Sequence, residues 1–393
     1  KLVKWKESPR RKPLIFKGIR QVGKTWLLME FGRSYYEDVA YFNFEGNAAL
    51  AERFKIDLDP KRLITELGVI HGKPILPGKT LIFFDEIQFC PEALTALKYF
   101  CEQAREYHVV CAGSLLGIAL SKPASFPVGK VDFMTLFPLT FQEFLLANGE
   151  EQLVTYLSQL KTPDPLPRMF TDKLITHLKT YYMVGGMPEP LSVWLETKDI
   201  GEVEAIQKSI INSYELDFAK HAPVHEIPKL SLIFNSIPDQ LAKENGKFIY
   251  GLLKKGARAR DYENAMVWLQ NAGMVHKVTR IEKPAIPLSA YATPSYFKLY
   301  APDIGLLRTM AALPAKAILE ESFLFQEFKG AMTENFVLQE LVAMYGENIY
   351  YWKGRNSLEV DFIMQLVDNI IPFEVKAATH VKAKSLSVYR EKY

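Results

Sequence analysis

Residues 18–25, with the sequence GIRQVGKT, limit the possible fold of this chain more than any other feature. They match the pattern GxxxxGK[ST], and they lie between the apolar residues 14–16 and a segment with helical patterning. A glycine-rich turn at this position directs backbone N–H groups and the helix N-terminus toward a bound anion. A chance glycine-rich turn is the alternative, but chance does not also supply the flanking strand and helix. The segment therefore predicts a phosphate-binding loop.

The residue types within this loop predict separate roles in binding a nucleoside triphosphate, ATP above all. Lys24 would reach the β- and γ-phosphate oxygens, and the hydroxyl of Thr25 would bind Mg²⁺. The residues expected to contact ATP or ADP are Gly18, Arg20, Gln21, Val22, Gly23, Lys24, Thr25 and Trp26.

Two carboxylates come directly after a second apolar run, residues 81–84. Ligands bind at the carboxyl ends of strands in a parallel sheet, where these two acids would lie. Asp85 would hold Mg²⁺ through its water shell, and Glu86 would orient and deprotonate the attacking water. A strand that merely ends in acidic residues is the alternative, which the upstream phosphate loop makes less favourable.

A third apolar run, residues 109–112, leads to Ser114. We expect Ser114 to sense the γ-phosphate or the attacking water, and we count it with Lys24 and Glu86 as catalytic. Its alternative role is the N-cap of the following helix, where a serine hydroxyl satisfies free N–H groups. Both roles can hold at once.

The chain of 393 residues exceeds the usual size of one hydrophobic core, so several domains are expected. Apolar strands alternate with helical segments over residues 1–140, which predicts an α/β domain with a parallel sheet covered by helices. Helical patterning predominates over residues 141–225 and predicts a helical lid or linker.

The remaining residues predict two further domains. In residues 226–283, helical segments at 230–243, 247–254 and 260–271 precede a β-prone segment, a pattern that is typical of a winged helix. Strand-prone segments return in residues 284–393 and predict a second α/β domain, which we expect to be truncated.

The composition excludes some classes of protein. The apolar runs are too short for a membrane span, so no membrane partner is expected. The three cysteines, Cys90, Cys101 and Cys111, lack the spacing of a zinc site or a disulfide framework, and a reducing cytoplasm is the simplest location. A net charge of +3 does not by itself indicate nucleic acid, because such binding needs local clusters of Lys and Arg.

Together, these segments resemble the bacterial and archaeal AAA-type ATPases in which a P-loop domain is followed by a C-terminal domain of unknown function. The resemblance extends over FPVGKV at 126–131, LFPLTFQEF at 136–144, GGMPE at 185–189 and DFAKH at 217–221. It implies an additional-strand P-loop fold, ATP binding, a winged-helix middle part and a nuclease-like C-terminal fold.

Oligomeric AAA+ machines complete each site with an arginine finger from a neighbour and a sensor arginine in the lid. Arg258 and Arg260 are the best matches for these roles in this sequence. Both also open the expected recognition helix of the winged helix, so contact with DNA phosphates and a solvated basic surface stay open as alternatives.

The C-terminal segment carries acids and a lysine at alternating positions. Glu359 and Asp361 would share one face of a strand, and Glu374 and Lys376 one face of the next. This pattern resembles the PD-(D/E)xK nuclease superfamily, which implies that the acids bind Mg²⁺ and that the lysine positions or activates water. Glu334 matches the helix acid that completes such a metal site. An exposed sheet face with cross-strand ion pairs is the alternative.

The function predicted from these features is an Mg²⁺-dependent ATPase. Its nucleotide state would control a winged-helix and nuclease-like arm that contacts DNA or a partner protein, with self-association as a further expected interaction. One alternative is a signalling or antitoxin-like switch that binds ATP with negligible turnover. A second is an ATP-gated, metal-dependent DNA nuclease.

Overall fold

The apolar runs at residues 14–16, 81–84 and 109–112 lie in strands of a single parallel sheet. The computed structural model describes residues 1–113, 129–162, 165–243, 247–354, 358–377 and 384–393. The chain divides into two compact units, residues 1–137 with 271–273 and residues 138–270 with 274–393.

The sheet of the first unit has the strand order of an additional-strand P-loop fold. Its strands are β1 (Leu14–Lys17), β2 (Asp38–Asn43), β3 (Thr80–Asp85), β4 (His108–Ala112) and β5 (Asp132–Thr135). They lie in the order β2-β3-β4-β1-β5, and every pairing is parallel. Strand β4 separates β1 from β3, which confirms the additional-strand arrangement expected from the sequence. β3 and β4 are buried along their whole length, as strands covered on both faces must be.

Helices cover both faces of this sheet. They are α1 (Leu2–Glu7), α2 (Lys24–Tyr35), α3 (Ala48–Ile56), α4 (Pro60–His71) and α5 (Pro91–Gln103). Consecutive side chains of β3 point to opposite faces, so Phe83 packs with Leu28 of α2 while Phe84 packs with Phe100 of α5. Because α2 begins directly after the loop that follows β1, its N-terminus lies beside the carboxyl end of the sheet.

The second unit combines helices with a mixed sheet. Its helices are α6 (Phe141–Ala147), α7 (Glu151–Ser158), α8 (Arg168–Val184), α9 (Pro188–Thr197), α10 (Ile200–His221), α11 (Ile227–Asn235), α12 (Ile237–Ala242), α13 (Ala259–Asn271), α14 (Ile304–Met310), α15 (Ala315–Leu319), α16 (Phe323–Tyr345) and α17 (Lys384–Lys392). Its strands are β6 (His276–Ile281), β7 (Ala292–Tyr300), β8 (Ile349–Lys353), β9 (Glu359–Leu366) and β10 (Asn369–Phe373). They lie in the order β10-β9-β8-β6-β7, with only the β6–β8 pairing parallel among the described strands of this sheet.

The segment predicted as a winged helix differs from the expectation in two places. The helix expected over 230–243 is interrupted at Ser236, between α11 and α12, just before Pro238, which has no backbone N–H to continue a helix. Within the helix expected at 247–254 the structure has a short 3₁₀ turn, Tyr250–Leu252. Strand β6 then pairs with β7 and β8, so the predicted boundary at residue 283 falls within one sheet. The division into lid, winged helix and nuclease-like domain stays a prediction.

The helices give no indication of a membrane span. Among those that the structure describes, none combines the length and the apolar content that crossing a bilayer requires.

Candidate functional site

Backbone geometry explains the glycines of the loop between β1 and α2. Gly18 has a φ of 154°, and a Cβ atom there would lie 2.5 Å from the carbonyl oxygen of Leu136. Gly23, which precedes α2, has a left-handed φ of 92°. Gln21 also has a positive φ, 63°, which is uncommon for a residue with a side chain. The loop thus folds back tightly before the helix begins.

Lys24 places a buried ammonium group inside this loop. Its Nζ donates hydrogen bonds of 2.9 Å to the carbonyl oxygens of Gly18 and Ile19. Burial lowers the pKa of Lys24 to about 8, although the charges of Glu86 and Asp85 oppose that shift. Neutral carbonyls are weaker partners for a cation than charged oxygens are, so the site favours an anionic ligand.

Asp85, the last residue of β3, is buried and collects three hydrogen bonds. Its Oδ2 accepts from the hydroxyl of Thr25 at 2.8 Å and from the hydroxyl of Tyr41 at 3.0 Å. Its Oδ1 accepts from the backbone N–H of Glu86 at 3.0 Å. Burial, together with the charge of Asp85, raises the pKa of Tyr41 to about 12, which keeps that hydroxyl protonated as a donor.

The oxygen pair formed by Thr25 and Asp85 fits a magnesium ion. Mg²⁺ binds hard oxygen ligands and is usually held by one or two protein groups together with waters and phosphate oxygens. Here a hydroxyl oxygen and a carboxylate oxygen are 2.8 Å apart at the N-terminus of α2. A cation between these oxygens would replace their mutual hydrogen bond.

Glu86 lies directly after β3 in a strained backbone conformation. Its φ of 49° is left-handed, which costs free energy for a residue with a side chain. The side chain is half-buried, and its Oε2 accepts a hydrogen bond from the side-chain amide of Gln88. The carboxylate is therefore held at the carboxyl end of the sheet by a neighbour two residues along the chain.

The structure brings together the central residues predicted from the sequence, Lys24, Thr25, Asp85 and Glu86. Arg20 is half-buried, Val22 is buried, and Gln21 and Trp26 are exposed. Ser114 lies outside the described residues, so its predicted role stays a prediction.

Sequence reasoning missed two residues of this site, Tyr41 and Gln88. Gln88 is only two positions from Glu86, a spacing that offers a weak signal. Tyr41 reaches Asp85 because β2 pairs with β3 in a register that places Asn43 opposite Asp85. No local pattern in the sequence predicts that pairing.

The predicted nuclease-like residues are only partly assembled in the second unit. Glu334, Asp361 and Lys376 line a cavity of about 490 Å³. Glu374 does not line it, because its carboxylate accepts from the backbone N–H of Leu386 at 2.8 Å, at the N-terminus of α17. Negative charge is favourable at a helix N-terminus, which explains this placement.

The expected three-acid metal site is therefore not formed by Glu334, Asp361 and Glu374. Within the described ranges, no group of three or more His, Cys, Asp or Glu side chains is arranged to hold a metal ion. The alternation of Glu359 and Asp361 along β9 is confirmed, and both line the cavity.

Arg258 and Arg260 are exposed beside the start of α13. The Nε of Arg260 lies 3.7 Å from a carboxylate oxygen of Asp261, a contact that solvent screens. Their roles as arginine finger, sensor or DNA contact stay predictions.

Comparison with family models divides the chain into three matched segments. Residues 10–145, which contain the loop and both acids, match the model of an AAA domain. Residues 175–317 match the domain of unknown function DUF8612, and residues 329–393 match the domain of unknown function DUF4143.

Similarity to individual proteins is more limited. Two proteins described as uncharacterized, from Mycobacterium bovis and Mycobacterium tuberculosis, are each 32% identical over 80 residues, which span 20% of this chain and 17% of each relative. A solved structure from Pyrococcus horikoshii, a signal transduction ATPase with numerous domains and a tetratricopeptide repeat sensor, covers 86% of this chain. It has 14% identity and a TM-score of 0.30, and the match spans 44% of that protein. A TM-score this low supports no conclusion about the present chain.

Proposed function

We propose that the protein binds ATP with Mg²⁺ in the loop 18–25 and hydrolyses it, because residues 10–145 match the model of an AAA domain. The observation that carries this proposal is the 2.8 Å hydrogen bond between Thr25 and Asp85, beside the buried ammonium of Lys24. A hydroxyl, a carboxylate and an ammonium at one helix N-terminus form a site for a triphosphate and its cation.

Binding of ATP would replace the neutral hydrogen-bond partners of Lys24 with charged ones. The Lys24 ammonium would leave the carbonyl oxygens of Gly18 and Ile19 for β- and γ-phosphate oxygens, which carry charge. Backbone N–H groups of the loop and the first turn of α2 would surround the same phosphates. Thr25 and Asp85 would hold Mg²⁺, which neutralises charge on the phosphate oxygens when bound.

Glu86 is the group proposed to act on water. Its carboxylate follows Asp85 directly at the carboxyl end of β3, where it would orient a water molecule toward the γ-phosphate and accept its proton. The amide of Gln88 donates to Oε2 of this carboxylate and would limit its movement during that proton transfer. The strained φ of 49° supports a functional reason for this conformation.

Two substitutions test the proposal. Lys24→Ala should abolish nucleotide binding, because the loop would lose the buried ammonium that offsets the charge of the β- and γ-phosphates. Glu86→Gln should bind ATP and lose about 10²- to 10⁴-fold in turnover, the usual contribution of a general base. Lys98→Ala, which removes an exposed lysine from α5, is the matched control. Wild-type turnover in Glu86→Gln would refute the role of Glu86, and nucleotide binding by Lys24→Ala would refute the site.

We propose further that turnover depends on a partner, which is DNA or another protein. The exposed arginines Arg258 and Arg260, with Lys254 and Lys255 just before them, support contact with a phosphate backbone. ATPase rates measured with and without DNA test this. Turnover that stays negligible in both conditions would favour the alternative of a nucleotide-dependent switch.

A further inference from the structure

A cavity of about 490 Å³ in the second unit contains both signs of charge. Its walls come from β7, β8, β9, α12, α16, residues 247–248 and the segment after β10. The charged side chains that line it are Lys247, Lys298, Lys353, Lys376, Glu334, Glu359 and Asp361. The arrangement of these charges decides which ligands the cavity can take.

Lys298 lies between two of the acids and is itself largely buried, with 12% of its side chain exposed. Its Nζ is 2.8 Å from Oε1 of Glu334 and 2.5 Å from Oε1 of Glu359. The hydroxyl of Tyr300 also donates to Oε1 of Glu334. Lys298 and Tyr300 alternate along β7, so both side chains leave the strand on the face toward α16.

The charge state of Lys298 follows from these contacts. Burial disfavours the ammonium form, but the charges of Glu334 and Glu359 and their hydrogen bonds outweigh burial and raise the pKa of Lys298. The contacts of 2.8 Å and 2.5 Å with the two carboxylates favour the ammonium form of the Lys298 side chain. It supplies the positive charge that two closely spaced carboxylates need in a partly buried site.

The other charged groups of the cavity also have partners. Oε2 of Glu359 lies 3.4 Å from Nζ of Lys353. Oδ2 of Asp361 accepts a 2.7 Å hydrogen bond from the backbone N–H of Val375. Nζ of Lys376, the lysine predicted to activate water, lies 2.8 Å from Oε1 of Glu374, whose carboxylate caps α17. A divalent cation would have to displace the buried ammonium to reach the acids.

We propose that the Lys298 ammonium takes the cation position between Glu334 and Glu359 and excludes divalent metal ions from this cavity. The acids then hold β7, α16 and β9 together through Lys298, rather than through a shared metal. These described residues consequently do not support metal-dependent cleavage of phosphodiesters, which is the opposite of the nuclease alternative predicted from the sequence.

Removal of the ammonium should expose the acids to metal ions. Lys298→Met keeps most of the aliphatic length but leaves Glu334 and Glu359 without their shared cation. Buried carboxylates without a cation are unfavourable, and oxygen ligands gathered in this way bind divalent ions. The variant should therefore acquire a metal site where the wild-type protein has none.

Manganese binding by the full chain tests this directly. Mn²⁺ is titrated into each protein in the absence of nucleotide, and bound Mn²⁺ is measured by electron paramagnetic resonance. Every protein, including the parent, carries Asp85→Asn to remove Mn²⁺ binding at the loop 18–25. Lys298→Met should bind Mn²⁺ at least tenfold more tightly than its parent, and adding Glu359→Gln should remove the gain. Lys247→Met, which removes an exposed lysine from the same cavity, should leave Mn²⁺ binding at the parent level.

Several outcomes would overturn the proposal. One is Mn²⁺ binding by the parent protein that disappears when Asp361→Asn is added. This comparison does not depend on whether a Lys298 variant folds. Another is a folded Lys298→Met protein with no gain in binding. Metal-dependent nicking of plasmid DNA by the wild-type protein, lost in both Asp361→Ala and Lys376→Ala, would overturn the conclusion about cleavage. None of these outcomes bears on ATP binding, so this proposal can fail while the proposed ATPase stands.

Discussion

The phenolic hydroxyl of Tyr41 donates a 3.0 Å hydrogen bond to Oδ2 of Asp85, the same oxygen that accepts a 2.8 Å hydrogen bond from Thr25. Two donors on one oxygen hold the carboxylate in a single orientation. When the hydroxyl of Thr25 turns to Mg²⁺, Tyr41 would keep Asp85 aimed at the cation. Partners of this kind commonly contribute 10- to 100-fold to metal affinity or activity, as an order of magnitude.

We therefore expect Tyr41→Phe to raise the Mg²⁺ concentration needed for half-maximal ATP turnover about 10-fold or more. Turnover measured at saturating ATP over a range of Mg²⁺ concentrations gives this value. Tyr35→Phe is the control, since Tyr35 is exposed on α2, with 47% of its surface accessible. An unchanged Mg²⁺ dependence in Tyr41→Phe would show that Asp85 needs no such partner.

Gln88 limits the freedom of Glu86, because its amide occupies one carboxylate oxygen. We expect Gln88→Ala to raise the maximal turnover by up to about tenfold, which corresponds to a barrier lower by about 1.4 kcal/mol. The affinity for ATP should not change. Steady-state kinetics separate the two effects, and Gln103→Ala at the exposed end of α5 serves as the control. A fall in turnover would instead mean that Gln88 positions Glu86 for the reaction.

Gly186 allows two backbone segments of the second unit to approach closely. Its N–H donates to Asp303 at 2.6 Å, and its carbonyl accepts from the N–H of Leu139 at 2.7 Å. A Cβ atom at this position would lie 2.2 Å from the carbonyl oxygen of Leu139, so the backbone would have to move. We expect Gly186→Ala to lower the free energy of unfolding by about 1–3 kcal/mol, the range for overpacked sites.

Chemical denaturation measures that change in unfolding free energy. The matched control is Gly251→Ala, because the nearest atom to a Cβ there is 3.9 Å away, an ordinary contact. Equal stability of the Gly186→Ala and Gly251→Ala proteins would contradict the expected clash.

Glu340 should make the stability of the second unit depend on pH. Its carboxylate accepts a 2.8 Å hydrogen bond from the N–H of Phe141, and burial, aided by the charge of Glu143, raises the pKa of Glu340 from 4.5 to about 7. The folded state therefore binds more protons than the unfolded state between those values. The free energy of unfolding must fall as the pH rises through this window.

Glu340→Gln should remove this pH dependence, because an amide oxygen can still accept from Phe141 but does not ionise. Above pH 7 the variant should be more stable than the wild type by up to about 3 kcal/mol, and near pH 4 the difference should vanish. Urea unfolding across this pH range measures the effect, with Glu327→Gln on the exposed side of α16 as control. Parallel pH profiles for Glu340→Gln and the wild type would contradict the assignment.

Asp303 adds a smaller effect in an overlapping range. Burial raises the pKa of Asp303 from 3.8 to about 6, although hydrogen bonds from the backbone of Gly186 and Leu306 oppose that shift. Deprotonation of Asp303 likewise lowers the free energy of unfolding as the pH rises from about 4 to about 6. The Glu340→Gln protein should retain this part of the pH dependence.

The phosphate loop and the acids after β3 were predictable because their signals are local. A strand, a glycine-rich turn and a helix N-terminus follow one another within residues 14–35, and the chemistry of Lys24 and Thr25 depends on that order. The carboxyl-terminal position of Asp85 follows from the apolar run before it. The order of the strands was implied by resemblance, and the pairing of β4 with both β1 and β3 confirms it.

Local sequence by itself thus determined the glycine-rich loop between β1 and α2, the acidic pair after β3 and the alternation of Glu359 with Asp361. Only the tertiary structure decided that Tyr41 reaches Asp85, that Glu374 caps α17 and that Lys298 lies between Glu334 and Glu359. The physical reason is that these contacts join residues from separate elements, 36 positions apart for Lys298 and Glu334. Strand pairing and helix packing bring such residues together, whereas a pattern in the sequence describes only neighbours along one element.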